Sequence, residues 1–383
     1  MSNLSFLEKL LDGAEVEWKA LGEVLVRTKG TKITAGQMKD LHKDGAPLKI
    51  FAGGKTVAFV DIDDIPEKDI NREPSIIVKS RGVIEFEYYE QPFSHKNEMW
   101  SYHSNDDNIH IKFIYHFLKL NEYHFQNIGN KMQMPQISTP DTDKFLIPIP
   151  CPGNPEKSLK IQGEIVRILD AFTELTAELT AELTARKKQY TYYRDRLLRF
   201  EEGEVEWKAL GEVIDVQRGR RLVKSQLEET GDYAVFQNSM SPLGYYHESN
   251  VQADTTFVIC AGAAGEIGFN DVDFWAADDV HYLVTPEYIV DKFIYYYLLT
   301  QQHKILGPVR RASIPRLSKS VIEKIEIPII DPSKQKDIVA FLDKFDALTN
   351  SITEGLPREI ELRQKQYTYY RDLLFNFPKP EEV

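Results

Sequence analysis

Cysteine is scarce. Cys151 and Cys260 are the only two in 383 residues, too few and too far apart for a disulfide scaffold or a zinc knuckle. A reducing cytosol is the expected setting. No apolar run approaches the ~18 residues that a membrane span needs, and mean hydropathy is -0.39. The opening stretch MSNLSFLEKLLDG carries acidic residues where a secretory signal needs a basic stretch and an apolar core. Positive charge is in deficit: 47 Lys and Arg face 59 Asp and Glu, for a net charge of -12. A phosphate-binding protein needs a positive face. A free-standing nucleic-acid clamp is therefore disfavoured unless the positive charge is local or comes from a partner.

Catalytic signatures are missing as well. Gly53-Gly54-Lys55-Thr56 ends like a phosphate loop, but Lys49 stands where the first glycine must be. The stretch Gly262 to Gly268 is glycine-rich without dinucleotide-loop spacing and reads as a tight turn after a strand. No Asn/Asp-Pro-Pro-aromatic motif of an amino-methyltransferase is present, and the nine histidines show no paired-ligand spacing. Asp141 to Lys144 and Glu17-Trp18-Lys19 contain acid-x-Lys fragments of the kind nucleases use, without a well-spaced upstream acid. A metal-dependent nuclease and a purely helical scaffold remain the alternatives to a binding protein.

What the chain does have is a copy of itself. EVEWKALGEV occupies Glu15–Val24 and recurs unchanged at Glu204–Val213. KQYTYYRD occupies Lys188–Asp195 and recurs at Lys365–Asp372. Between them lie weaker echoes: Lys112 to Tyr115 with Lys292 to Tyr295, Ile147-Pro148 with Ile327-Pro328, and QGEIVRILDAF from Gln162 with QKDIVAFLDKF from Gln335. The order is collinear, so the chain is an internal duplication, with a period far too long for a solenoid. The middles, roughly 25–150 and 214–330, keep an outline but not their residues. An unchanging frame with two unlike inserts suggests one mechanical task and two recognition tasks.

The frame reads as helix. From Ile161 the apolar positions step by three and four through Ile165, Ile168, Phe172, Leu175, Leu179, Leu183, Tyr190, Tyr193 and Leu197. The second copy runs Ile338, Phe341, Phe345, Leu348, Ile352, Ile360, Tyr367, Tyr370 and Leu374. Asn154-Pro155 and Asp331-Pro332 fit an N-cap followed by a first-turn proline. Helices of this length cannot bury their stripes alone, so they should pair antiparallel. Gly355-Leu356-Pro357 should break or kink the second one. TAELTAELT at Thr176–Thr184 reads as a leucine seam and as a ruler, each unit adding ~6 Å of helix. Leu4 to Leu11 should pack beside Leu374 to Phe377, bringing the chain ends together.

The inserts read as mixed α and β. Ser75 to Val78 and Thr256 to Ile259 look like buried strands. Residues 108–125 and 291–306 look like helices whose aromatics, among them Tyr115, Phe117, Phe293 and Tyr295, serve packing. Basic and amide residues cluster at the interruptions: Arg27 to Lys32, Lys49 to Lys55, Lys79 with Arg81, and Lys131 with Gln133 and Gln136 in the first insert. In the second they are Arg218, Arg220, Arg221 and Lys224, then Gln237-Asn238, then Arg310, Arg311, Ser313 and Arg316. Arg and Lys suit phosphates and guanine edges, and Asn and Gln suit adenine edges.

These repeats, with the Ile-Pro and Gln-x-x-Ile-Val-x-x-Leu-Asp pattern twice and the TAEL run, resemble the DNA specificity subunit of type I restriction–modification systems across the whole chain. The resemblance implies an α+β fold with pseudo-twofold duplication: two similar α/β target recognition domains separated by a pair of long antiparallel, coiled-coil-like helices. It partitions the chain as 1–24, a repeated segment near the C-terminal helix; 25–157, recognition domain 1; 158–213, central spacer helix and repeat; 214–332, recognition domain 2; and 333–383, distal spacer helix. It implies a non-catalytic reader of bipartite double-stranded DNA that works with two methyltransferase subunits and with restriction subunits, in the cytoplasm. S-adenosylmethionine, ATP and magnesium would belong to those partners, and this chain would bind no cofactor.

Overall fold

The computed structural model describes residues 6–130, 133–201, 203–309, 314–351 and 353–378. The expected site residues Lys131, Arg310, Arg311 and Ser313, and the expected stripe residue Ile352, lie outside them. The chain divides into two compact units, Met1–Glu178 with Ile360–Val383, and Leu179–Glu359. The division falls inside the central helix, Pro155–Leu197, so each unit owns half of that helix.

In the first unit, Val16–Ala20 pairs antiparallel with Leu146–Pro150, a two-stranded ribbon whose prolines are tolerated because no further strand needs their missing N–H. A four-stranded antiparallel sheet runs in the order Val26–Lys29, Trp100–His103, Ser75–Lys79, Glu85–Tyr89. A three-stranded sheet holds Val57–Val60, Leu48–Phe51 and Phe93–His95, the last two parallel. Ser75–Lys79 is buried at every position. Alternation sends Ile76 and Val78 into the core beneath helix Ile111–Leu120 and Ile77 into a second cluster with Phe51, Phe93 and Met99. A strand buried on both faces carries apolar residues at successive positions, here Ile76 to Val78. The same helix buries Phe113, Ile114, Phe117 and Leu118.

The second unit repeats this plan. Its four-stranded sheet is Asp215–Arg218, Val280–Val284, Thr255–Ile259, Ile267–Asn270, and its three-stranded sheet Gly244–Tyr246, Tyr233–Phe236, Trp275–Ala276. Val258 faces the helix core while Phe257 and Ile259 face the other cluster. Gly30 and Gly219 hold the same place in the two units. A Cβ would lie 2.3 Å from the His95 carbonyl oxygen at Gly30 and 2.2 Å from that of Ala277 at Gly219, so only glycine lets the first sheet's edge approach this turn.

The insert helices differ from the sequence expectation. Each is two pieces, Ile111–Leu120 and Glu122–Gly129, and Asp291–Thr300 and Gln302–Leu306. The breaks fall at Asn121 and Gln301, both with φ near -95° and ψ near zero. Asn121 Nδ2 donates to the Phe117 carbonyl, a side-chain bond that competes with the helical ladder.

The frame packs within each unit. In the first, Phe172 of the central helix stacks on Tyr370 at 5.3 Å, and Leu169 shares a core with Tyr367. In the second, Tyr193 meets Phe341 and Phe345, and Tyr190 is buried with Leu342. Leu175, Leu179, Leu183 and Leu348 are half-buried. Asn154 accepts from Lys157 N, and Asp331 from Ser333 N, each capping its helix start. The distal run stops at Asn350 and resumes at Gly355, whose φ is +74°. Leu7 and Leu11 share one core with Leu374, Phe375 and Phe377, and Trp18 Nε1 donates to the Pro378 carbonyl.

Candidate nucleic-acid interface

The ends of the two sheets in each unit are sewn together by backbone hydrogen bonds, and most of the predicted polar residues gather there. In the second unit the hub is Ala276 to Asp279. Arg220 N donates to the Ala276 carbonyl, Ala277 N to that of Phe236, and Cys260 N to that of Asp279. Arg218 Nε donates to the Asp278 carbonyl at 2.7 Å. Asn238, after Phe236, accepts from Ala263 N. Arg316 bridges Ala261. Arg218, Arg220, Gln237, Asn238 and Arg316 are thus neighbours, whereas Arg221 and Lys224 stand exposed further along the loop.

Charges of both signs act on the buried groups of this hub. Burial holds the His281 imidazole below its ordinary value, and Arg218 and Lys319 push it the same way. Burial and Asp279 drive the Cys260 thiol up to about 11, with Arg218 and Arg316 opposing. In a chain of net charge -12, Arg218, Arg220 and Arg316 are gathered at this hub, exposed.

The first unit builds the same hub with other side chains. Thr31 N donates to the His95 carbonyl, Lys96 N to that of Phe51, and Ser80 Oγ to that of Glu98. Arg81 bridges Gln136, Arg81 is exposed, and Gln133 is exposed just before it on the crossing segment. Lys79 corrects the sequence expectation. It is 5% exposed, and its ammonium pairs with Glu85 and Glu87. Burial disfavours that charge, yet the two carboxylates outweigh it and raise the pKa. Lys79 neutralises a sheet face and offers no outward donor. Lys49 lies over the Phe51 and Tyr89 rings near Glu87.

One pair of residues escaped the sequence reading. Asp170 and Asp343 fasten the frame to the inserts. Asp170 accepts from Lys112 at 3.0 Å and contacts His116 Nε2 at 2.9 Å; Asp343 accepts from Tyr296 OH at 2.6 Å and pairs with Lys292 at 2.9 Å. The signal was present, since both acids sit in the repeated Leu-Asp of an otherwise apolar pattern.

The acid-x-Lys fragments are occupied structurally. Glu17 and Lys19 pair with each other at 3.0 Å, Asp141 accepts from Ser138 N, and Asp143 accepts from Tyr102 OH. Among the described residues no group of three His, Cys, Asp or Glu could hold a metal, and no helix is long and apolar enough to cross a membrane.

Comparison with known proteins fits this geometry. The type I restriction modification DNA specificity domain matches residues 15–186 and again 202–362. The chain is 40% identical over 408 residues to the type I restriction enzyme EcoR124I/EcoR124II specificity subunit of Escherichia coli, covering 100% of both. It is 30% identical over 408 residues to the putative type I restriction enzyme specificity subunit S.HindORF215P of Haemophilus influenzae, covering 98% of this chain and 99% of that one. The crystal structure of a type I restriction–modification S subunit from M. genitalium shares the fold, with a TM-score of 0.70 at 18% identity over 96% of this chain and 98% of that one. A domain of this kind present twice defines a non-catalytic, two-domain DNA-recognition subunit. The chain belongs to the type I restriction–modification DNA specificity family.

Proposed function

We propose that the chain reads a split sequence in double-stranded DNA, one half per recognition unit, and that the central helix common to both units sets the gap. Two methyltransferase subunits dock on the repeated frame and restriction subunits join them, in the cytoplasm. S-adenosylmethionine, ATP and magnesium act in those partners.

The observation that carries this reading is where the two copies agree. Packing explains identical buried residues, but not identical exposed ones. Tyr192 and Tyr369 are 59% and 65% exposed. Glu15 and Glu204, Glu17 and Glu206, and Lys188 and Lys365 are also exposed in both copies. Surface identity repeated in this way suits two copies of one partner. At the strand ends the backbone bonds repeat while the side chains change, which suits two different half-sequences.

The test is methylome sequencing of cells carrying the system. A bipartite adenine-methylated motif is expected, and a continuous motif overturns the reading. Deleting residues 180–183, one TAEL unit, should shorten the gap by one or two base pairs, at ~6 Å of helix against ~3.4 Å per pair, and leave both half-sequences unchanged.

A further inference from the structure

The geometry points to one phosphate contact per recognition unit, made by a single guanidinium at the strand-end bridge: Arg81 in the first unit and Arg316 in the second. The inference rests on the DNA-reading role proposed above.

The two bridges are the same object. Gly82 N donates to the Pro135 carbonyl at 2.9 Å and Ile137 N to that of Ser80 at 3.0 Å. In the second unit, Gly262 N donates to the Pro315 carbonyl at 3.2 Å and Leu317 N to that of Cys260 at 2.9 Å. Between these bonds Arg81 faces Gln136, and Ala261 faces Arg316, both antiparallel. Gly82 and Gly262 both turn the chain at positive φ, +76° and +81°. The loop after the neighbouring strand touches each bridge, with Gly53 beside the Arg81 carbonyl and Asn238 beside Gly262.

Partners directly opposite in an antiparallel pair present their side chains on one face, Cβ atoms ~4.5–5.5 Å apart. The arginine has therefore changed strands without leaving the place. Both bridge positions differ between the units, Arg to Ala and Gln to Arg, yet each bridge keeps one guanidinium. Both guanidinium groups are exposed, and among the described residues neither makes an ion pair. Arg81 helps hold down the Glu98 carboxyl, which pairs with Lys96 at 2.7 Å, and Arg316 and Asp279 act in opposite directions on the Cys260 thiol.

A charge retained while its neighbour changes serves what the two half-sequences have in common. Bases differ between the halves, but the sugar–phosphate backbone does not. Phosphate contacts fix register and carry no sequence information, and a guanidinium fork matches a phosphate.

The test uses the full chain assembled with its methyltransferase subunits, on a duplex containing its methylated site, with affinity measured against salt. Arg81→Ala and Arg316→Ala should each weaken binding about tenfold and reduce the log–log salt slope by about 0.9, one phosphate fewer. The methylation motif should not change. Arg81→Lys should retain the slope. The double variant Arg81→Ala with Gln136→Arg puts the charge on the opposite strand, as in the second unit, and should recover both affinity and slope. An unchanged slope in the alanine variants, a relaxed base in one half-sequence, or no recovery in the double variant overturns the inference while the reading of function stands. Wild-type complex that binds its site no better than unrelated duplex would instead remove the reading beneath it.

Discussion

The two recognition units share a backbone almost bond for bond and solve the same local problems with different side chains. Both sheets have the same strand order, and both turns need a glycine at Gly30 or Gly219. Both frames present an aspartate to the insert helix, but Asp170 receives a histidine and a lysine where Asp343 receives a tyrosine and a lysine. On the strand beside the bridge, Lys79 is held by Glu85 and Glu87, whereas Ile259 occupies the corresponding place in an apolar cluster. Duplication preserved the backbone plan while the side chains packed on it diverged.

The comparison can be broken most severely at the glycines. Gly30→Ala and Gly219→Ala each force a Cβ against carbonyl oxygens that are part of the backbone, so the neighbour cannot simply rotate away. Each should cost its own unit ~3 kcal/mol, the upper end for overpacking. Hydrogen exchange read by mass spectrometry should show lost protection in the substituted unit only. An asymmetric outcome would mean that the two turns are not equivalent.

Acid should separate the units next. Burial is the first cause holding His95, His110 and His116 below the ordinary imidazole value in the first unit, against His281 in the second. A histidine buried neutral binds fewer protons folded than unfolded, so stability falls as pH drops through about 6.5. Between pH 7.5 and 5.5 the first unit should lose more protection than the second. Asp170 is itself lowered, by His116 and Lys112 against burial, so its contribution persists until pH reaches the carboxylate range. His116→Tyr copies Tyr296 and should narrow the difference; an unchanged pH profile would clear His116 of the effect.

The smallest effect on folding belongs to the repeated tyrosines. Tyr192→Ala and Tyr369→Ala should leave stability within ~0.5 kcal/mol, as exposed substitutions do. Each should nevertheless weaken one methyltransferase subunit's attachment by ~1–2 kcal/mol, in the range of interface tyrosines. Native mass spectrometry counts the bound subunits. Unequal losses would show that the frame's two faces are not used alike.

Much of this was legible in the chain. Exact words in collinear order exposed the duplication, capping pairs located the helix starts, and Gly355-Leu356-Pro357 located the break. Ser75 to Val78 and Thr256 to Ile259 read as short buried strands and fall within Ser75–Lys79 and Thr255–Ile259. The candidate site was read less well. Arg218, Arg220, Gln237, Asn238 and Arg316 do converge, but Lys79 does not join a basic face, because its fate depends on Glu85 and Glu87 across a strand register that no local pattern encodes. Asn121 and Gln301 interrupt helices whose apolar spacing runs on past them.

Periodicity and repetition are local properties, and local steric and hydrophobic rules convert them into helices, strands and a doubled frame. Which cation is neutralised and which stays free, and the fact that Arg81 and Arg316 hold one place from opposite strands, were decided only when distant segments closed on each other. Charge pairing and bridge register depend on through-space neighbours, and those neighbours exist only in the folded chain.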